Sequence, residues 1–335
     1  MYMEYFGLKD YPFRITPDTD YLYMSLAHSR AKAYMEYAIF NREGFVVITG
    51  EIGSGKTTLI KKLLMELDEN IKVAKIFQTQ LDEVEFLQAI LVEFGLNPFS
   101  AKKVELLNML NQFLIESYMD GKQVLLIIDD AQNLSKRVLE EVTMLSSVET
   151  QKEKILHVIL VGQPELNQKL ESPDMEQLLQ RVSLRYHVRT LTQEETAEYV
   201  IHRLKIAGIN EKLFMNETFS GIYEYSGGVP RLINTICDTA LTCAFADNHK
   251  IVDKDELDST IKELQWKKYD ERYAVYNNTS QIKTESLYEE SSPTDSAEKL
   301  QDGRELVRNA YDNISSRALL EICKQLKRIA DSLQK

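Results

Sequence analysis

Cysteine, tryptophan and proline are scarce in this chain of 335 residues, at three, one and seven copies. The cysteines, Cys237, Cys243 and Cys323, form no CxxC pair and have no histidine at ligand spacing. That excludes a disulfide framework and a zinc site, and it fits a reducing compartment. Long apolar runs are missing as well. No stretch approaches the roughly 18 residues a membrane span requires, and Met1-Tyr2-Met3-Glu4-Tyr5-Phe6 shows no basic region followed by an apolar one. The chain is therefore expected in the cytoplasm, meeting the inner membrane only peripherally, through a partner. Positive charge is in deficit: 40 Lys and Arg against 52 Asp and Glu give a net charge of -12. A surface that coats nucleic acid or anionic lipid as a whole is excluded, while a local basic patch is compatible with this total.

A hydrophobic content of 44% with 27% charged residues is enough for a core, and the length predicts about two domains. Over residues 1–192, short β-branched runs alternate with segments of helical period, the pattern of a parallel α/β sheet. Phe45–Thr49, Ile71–Phe77, Val124–Ile128 and Ile155–Val161 read as buried strands, with a final strand at Tyr186–Leu191. Thr58–Leu67, Glu83–Phe94, Val104–Tyr118 and Ser135–Leu145 carry leucines at three- and four-residue spacing and read as crossover helices. From Thr192 the strand signal stops, and Thr192 with Glu195 three residues on forms a capping-box signature. A small helical domain is expected over 193–264, followed by a polar acidic linker over 265–312 and an amphipathic helix over 313–335. Between Lys283 and Glu305 there are three basic and seven acidic side chains, a composition that reads as a solvated tether.

Directly after the first strand stands Gly50-Glu51-Ile52-Gly53-Ser54-Gly55-Lys56-Thr57-Thr58, matching GxxxxGK[ST] with a helix behind it. Glycines let successive N–H groups converge on phosphates, and the helix adds the positive end of its dipole. Lys56 is expected to reach the β- and γ-phosphates, and the Thr57 hydroxyl to complete a Mg²⁺ shell. The second anchor for that metal is Asp129, at the end of the apolar run Val124–Ile128, where a carboxylate is costly unless it faces a cation. Asp130 either polarises the attacking water or serves as a helix N-cap or solvated turn acid.

Gln163, after the strand Ile155–Val161, is either a residue that orients water and senses the γ-phosphate or a plain turn residue. Arg181 and Arg185, read one helical turn apart, either stabilise transition-state charge in a neighbouring protomer or make surface ion pairs. Ser226-Gly227-Gly228-Val229-Pro230-Arg231 places Arg231 in the first turn of a helix, where its charge opposes the dipole unless an anion is near.

Taken together, the opening Tyr5-Phe6-Gly7-Leu8, Tyr11-Pro12-Phe13, Thr16-Pro17-Asp18 and Leu22-Tyr23, the P-loop, Ala131-Gln132-Asn133-Leu134, Gly162-Gln163-Pro164-Glu165-Leu166, Gln180-Arg181 and Gly228-Val229-Pro230-Arg231 resemble one family. It is the AAA+ ATPases of the general secretion pathway protein A (ExeA-like) family, which includes ATPases of exosortase/PEP-CTERM polysaccharide export loci. The resemblance covers about residues 1–264. It implies an ASCE-type P-loop NTPase sheet with flanking helices and an all-helical lid, with ATP and Mg²⁺ as ligand and metal. It also implies ATP hydrolysis, homo-oligomerisation into a ring or filament, Arg181 acting in trans, Arg231 as the lid's sensor, and the N-terminal aromatic and proline segment either near the adenine or in a structural role. In two respects the chain departs from the pattern. Asp129-Asp130 stands where the family has Asp-Glu, which points to slow hydrolysis, and neither a membrane span nor a peptidoglycan-binding region follows Leu264.

The expected function is an ATPase that powers or regulates assembly of an envelope secretion or exopolysaccharide export apparatus, with those proteins as partners. Two alternatives stay open. The core also resembles transposition regulators that assemble on DNA with ATP, which the charge of -12 and the lack of a Lys/Arg-rich stretch disfavour. The shorter acid at Asp130 allows a nucleotide-gated switch with little turnover. In the tail, Leu319, Ile322, Leu326, Ile329 and Leu333 form one apolar seam of about two heptads. That seam suits a docking helix for a partner or protomer, a helix folded back on the lid, or weak contact with an anionic membrane.

Overall fold

The computed structural model describes residues 2–40, 45–98, 102–148 and 154–272. Residues Met1–Arg272 form one compact unit. The apolar seam between Leu319 and Leu333 and most of the acidic stretch before it lie outside the described residues.

The chain opens with a short helix α1 (Tyr2–Phe6), an irregular strap and α2 (Leu26–Phe40). The α/β region then runs β1 (Phe45–Gly50), α3 (Lys56–Glu66), β2 (Ile71–Ile76), α4 (Glu83–Glu93), α5 (Lys103–Met119) and β3 (Gln123–Ile128). It continues through α6 (Lys136–Leu145), β4 (Leu156–Gly162), α7 (Pro164–Leu170), α8 (Glu176–Leu179) and β5 (Leu184–Val188). The helices α9 (Gln193–Ile206), α10 (Thr218–Ser226), α11 (Pro230–Ala246) and α12 (Lys254–Leu264) follow.

All strand pairings are parallel, in the order β2-β3-β4-β1-β5. This is the P-loop NTPase sheet, with β4 inserted between the strand that precedes the phosphate loop and the strand that ends in the paired acids. The run Val124–Ile128 is apolar at every position because both faces of β3 are covered. Leu126 and Ile128 join the layer of α4, α5 and α6, and Leu125 and Ile127 join the layer of α2 and α3. The strand period of two assigns each side chain to its layer.

A third core belongs to the helices after Thr192. Tyr199, Ile222, Ile233, Ile236, Leu241 and Leu257 pack there together with Tyr2, Phe6, Leu8, Phe13 and Tyr21 of the N-terminal segment. The rings of Tyr2 and Tyr11 meet edge to face at 5.4 Å, and Phe13 meets Phe214 at 6.1 Å. The first residues of the chain therefore pack with elements beyond the division expected at 192. Helix α9 opens on a reciprocal cap: the Thr192 side chain accepts from the Glu195 N–H, and the Glu195 carboxylate accepts from the Thr192 N–H.

Two local expectations change. The last strand lies at Leu184–Val188 and stops before Leu191, because Leu191 turns into the helical core and donates its N–H to the Gly228 carbonyl at 2.9 Å. The first residues of the expected linker are packed: Trp266 joins the helical core, and the Arg272 guanidinium lies 4.4 Å from its ring centre and donates to the Tyr225 carbonyl.

Candidate nucleotide-binding site

The P-loop leaves β1 at Gly50 and turns into α3 at Lys56. Gly53 and Gly55 have φ of 81° and 95°, the left-handed region that a side chain disfavours. Both are also close to neighbours. A Cβ on Gly53 would stand 2.5 Å from the Arg231 Cβ, and one on Gly55 would stand 3.0 Å from His28 Nε2. The loop is thus shaped from two sides, by the first turn of α11 and by α2.

His28 is the residue on α2 that holds it. The Ser54 carbonyl can only accept, so His28 Nε2 carries the proton and donates to it at 2.8 Å, which leaves Nδ1 to accept from the Ser25 hydroxyl at 2.7 Å. Burial lowers the imidazole pKa below its ordinary value, so the ring is neutral in this role.

Lys56 is 8% exposed, and its Nζ donates to the carbonyls of Gly50 at 2.7 Å and Glu51 at 2.8 Å. Burial pulls its pKa down, against the raising effect of the Asp129 and Asp130 carboxylates. Asp129 is 3% exposed at the end of β3. Burial raises its pKa, opposed by bonds from the Thr57 hydroxyl at 2.8 Å and the Asp130 N–H at 3.0 Å. A desolvated carboxylate beside a hydroxyl is a donor set for a hard divalent cation, which takes one or two protein oxygens and completes its shell from water and phosphate. The buried Ser54 hydroxyl has no hydrogen-bond partner among the described residues. An orphaned donor in this glycine-shaped loop, beside the Thr57–Asp129 pair, is consistent with a phosphate ligand and Mg²⁺.

Asp130 adopts φ 51° and ψ 37° and caps no helix with its side chain. Its exposed carboxylate accepts from Gln132 Nε2 at 3.1 Å, while Gln132 Oε1 accepts from the Gln163 N–H at 3.0 Å. One side-chain amide thereby ties the acid at the end of β3 to the end of β4.

These groups line one cavity of about 570 Å³. Its floor is the P-loop with Asp129, Asp130 and Gln163, and Arg231 enters from α11. The Arg231 N–H donates to the Gly53 carbonyl at 3.2 Å, and no hydrogen bond or ion pair occupies its guanidinium among the described residues. The opposite wall is the strap Arg14–Asp18 with Tyr199, Arg203 and Asn234 behind it.

Arg181 is not brought to this cavity. Its Nη1 donates to the Thr143 carbonyl at 3.1 Å and to Ser146 Oγ at 3.4 Å, at the end of α6. Arg185 lies on β5 and so does not share a helix with Arg181. It donates to Asn167 Oδ1 at 3.0 Å and Glu171 Oε1 at 3.1 Å, a structural tie between β5 and α7.

Nothing in the sequence singles out His28, Tyr199, Arg203 or Asn234, because the bonds that tie them to the loop and strap include ones 26, 35, 191 and 220 residues away along the chain. The run Ala131-Gln132-Asn133-Leu134 was visible beside the acids, but the bridging role of Gln132 shows only when β3 and β4 lie next to each other.

A parallel five-stranded sheet with a glycine-shaped phosphate loop on one strand and paired acids on another defines an AAA P-loop NTPase, and the chain belongs to that class. The AAA domain family matches residues 40–170. The chain is similar to general secretion pathway protein A of Aeromonas hydrophila, with 41% identity over 257 residues, 76% of this chain and 47% of that protein. It thus spans about half the length of the curated relative it matches. Among solved structures it resembles Cdc6p from Pyrobaculum aerophilum, with a TM-score of 0.58 and 16% identity over 78% of this chain and 70% of that one. It also resembles Drosophila ORC bound to DNA, with a TM-score of 0.55 and 17% identity over 71% of this chain and 60% of that one. The ORC2 protein of Aeropyrum pernix, solved as ADPNP-ADP complexes, gives a TM-score of 0.53 at 17% identity over 71% of this chain and 66% of that one. At these identities the likenesses speak for the fold alone. No helix among the described residues is long and apolar enough to cross a membrane.

Proposed function

We propose that the chain binds and hydrolyses ATP and couples that cycle to the assembly or operation of an envelope secretion apparatus. The observation that carries the ATPase reading is the convergence of Lys56, the Thr57–Asp129 pair and the unpaired Arg231 guanidinium on one cavity. Lys56 Nζ is held by two backbone carbonyls, which it can exchange for phosphate oxygens. Thr57 and Asp129 would hold Mg²⁺, which neutralises phosphate charge when bound. Asp130 would orient the attacking water, with Gln163 on the neighbouring strand end, and its carboxylate is one methylene shorter than glutamate. Turnover is accordingly slow.

Arg181, anchored away from its own cavity, would serve a neighbouring protomer's site in a ring or filament. The secretion role rests on the similarity to general secretion pathway protein A, while a cytoplasmic place at the inner membrane through a partner and exopolysaccharide export as the setting rest on the reading of the sequence alone. A second reading, a nucleotide-gated switch with negligible turnover, is favoured by the hold of Gln132 on Asp130.

The test is phosphate release and ATP affinity for the wild type and Lys56→Ala. Hydrolysis by the wild type that falls about 100-fold or more in Lys56→Ala supports the ATPase. Equal near-zero rates with tight ATP binding select the switch, and a wild type that binds no ATP sinks both readings.

A further inference from the structure

Arg203 on α9 is 7% exposed and has no carboxylate partner among the described residues. A buried cation without an anion is costly unless other groups take over its solvation. Here backbone oxygens and rings do so. Nε donates to the Pro12 carbonyl, Nη1 to the Tyr199 hydroxyl at 2.9 Å and Nη2 to the Arg14 carbonyl at 3.4 Å. The guanidinium also lies 4.9 Å from the Tyr21 ring centre and 5.6 Å from that of Tyr199.

The network extends to α11. The Tyr199 hydroxyl donates to Asn234 Oδ1 at 2.8 Å, and Asn234 Nδ2 donates to the same Arg14 carbonyl at 3.2 Å. The segment so gripped, Pro12 to Arg14, has no helix or strand of its own. The residues after it, Ile15 to Asp18, are exposed and form the cavity wall facing the P-loop. A wall without its own ladder of hydrogen bonds needs an outside support, and a planar fork of five donors can hold two carbonyls at once.

We infer that Arg203 is a positioning residue of the nucleotide cavity, holding the Pro12–Asp18 strap on the α9–α11 body so that affinity for the nucleoside half of the ligand depends on it. The phosphate half belongs to the β1–α3 loop, to which Arg203 makes no bond. This rests on the nucleotide reading above and adds the residue that sets the nucleoside end.

The two halves separate experimentally. Calorimetric titration of the full chain with Mg²⁺ compares ATP with inorganic tripolyphosphate, which lacks base and ribose. Arg203→Lys keeps the charge and loses the fork, and its Kd for ATP is expected to rise about tenfold, while that for tripolyphosphate stays within about twofold. Tyr199→Phe, which removes the acceptor of Arg203 Nη1 and the donor to Asn234 Oδ1, is expected to weaken ATP about threefold and tripolyphosphate not at all. It decides the matter if Arg203→Lys does not fold. An unchanged ATP Kd overturns the inference, as does equal loss of both ligands, the signature of a merely structural role. Lys56→Ala must lose both ligands. If the wild type binds neither, it is the nucleotide reading that fails, and the two failures are thereby told apart.

Discussion

Replacing Gly53 by alanine tests how closely the phosphate loop and the helical body approach each other. The added Cβ would lie 2.5 Å from the Arg231 Cβ, where carbon atoms settle at about 3.5–4.0 Å. The first turn of α11 must then retreat by about 1 Å, stretching the 3.2 Å bond from the Arg231 N–H to the Gly53 carbonyl. The backbone adds a second cost, because φ of 81° disfavours an L-residue by about 1–2 kcal/mol. Gly95 supplies the control. It has the same φ of 81° but no atom within 4 Å of the added Cβ. Gly95→Ala is expected to lose about 1 kcal/mol of stability and none of the nucleotide affinity. Gly53→Ala is expected to lose a further 1–2 kcal/mol or so. Displacement of Arg231 should also raise the Kd for ATP about 10- to 30-fold. Urea unfolding and titration with a fluorescent ATP analogue read the two quantities. If Gly53→Ala binds ATP like the wild type and is no less stable than Gly95→Ala, the close approach of α11 to the loop is wrong.

Two further outcomes follow from groups with shifted pKa values. His28 is buried neutral with its folded pKa below the ordinary 6.5, so its contribution to stability is full above about pH 6.5 and is lost as pH falls through the lowered value. The stability of His28→Gln should therefore fall less steeply than the wild type's between pH 7 and 5, and parallel urea curves would refute this. Burial and the Glu263 carboxylate at 3.2 Å push the Cys243 thiol up to about 11, so at pH 8 alkylation of this side chain in the native protein should run about two orders of magnitude slower than for a free thiol. Glu263→Gln should speed it, as followed by mass spectrometry of the Cys243 peptide.

What could be read in advance follows from the range of the interactions involved. β1, β3 and β4 fall within a residue or so of the apolar runs because a strand covered on both faces has no other composition open to it, and the half-buried edge strand β2, with Lys72 and Lys75, was legible from its β-branched residues instead. The P-loop and Asp129 were legible for a similar reason, since phosphate and metal demand fixed residue types at fixed offsets. Helix α2 gave little signal because, beside Met35 and Ile39, its buried positions Ala27, His28, Ala31 and Ala38 are small or polar. The placement of Arg185 was misread because Leu178-Leu179-Gln180-Arg181-Val182-Ser183-Leu184 carries helical residue types on both sides of the turn that starts β5. His28, Arg203 and Asn234 act through backbone carbonyls, and a carbonyl has no residue type for a sequence to reveal.

The N-terminal segment that shares a core with the later helices has a consequence for synthesis. The helical body is discontinuous in the chain, with the whole sheet inserted between its first residues and the rest. A nascent chain that has emerged only through Val188 can close the five strands, yet Tyr2, Phe6, Leu8, Phe13 and Tyr21 lack the core of the later helices until α9 and α11 arrive. These apolar side chains remain without that core for the time it takes to make the last third of the compact unit. The strap wall of the cavity is correspondingly the last part of the site to form, after the loop that takes the phosphates is already in place.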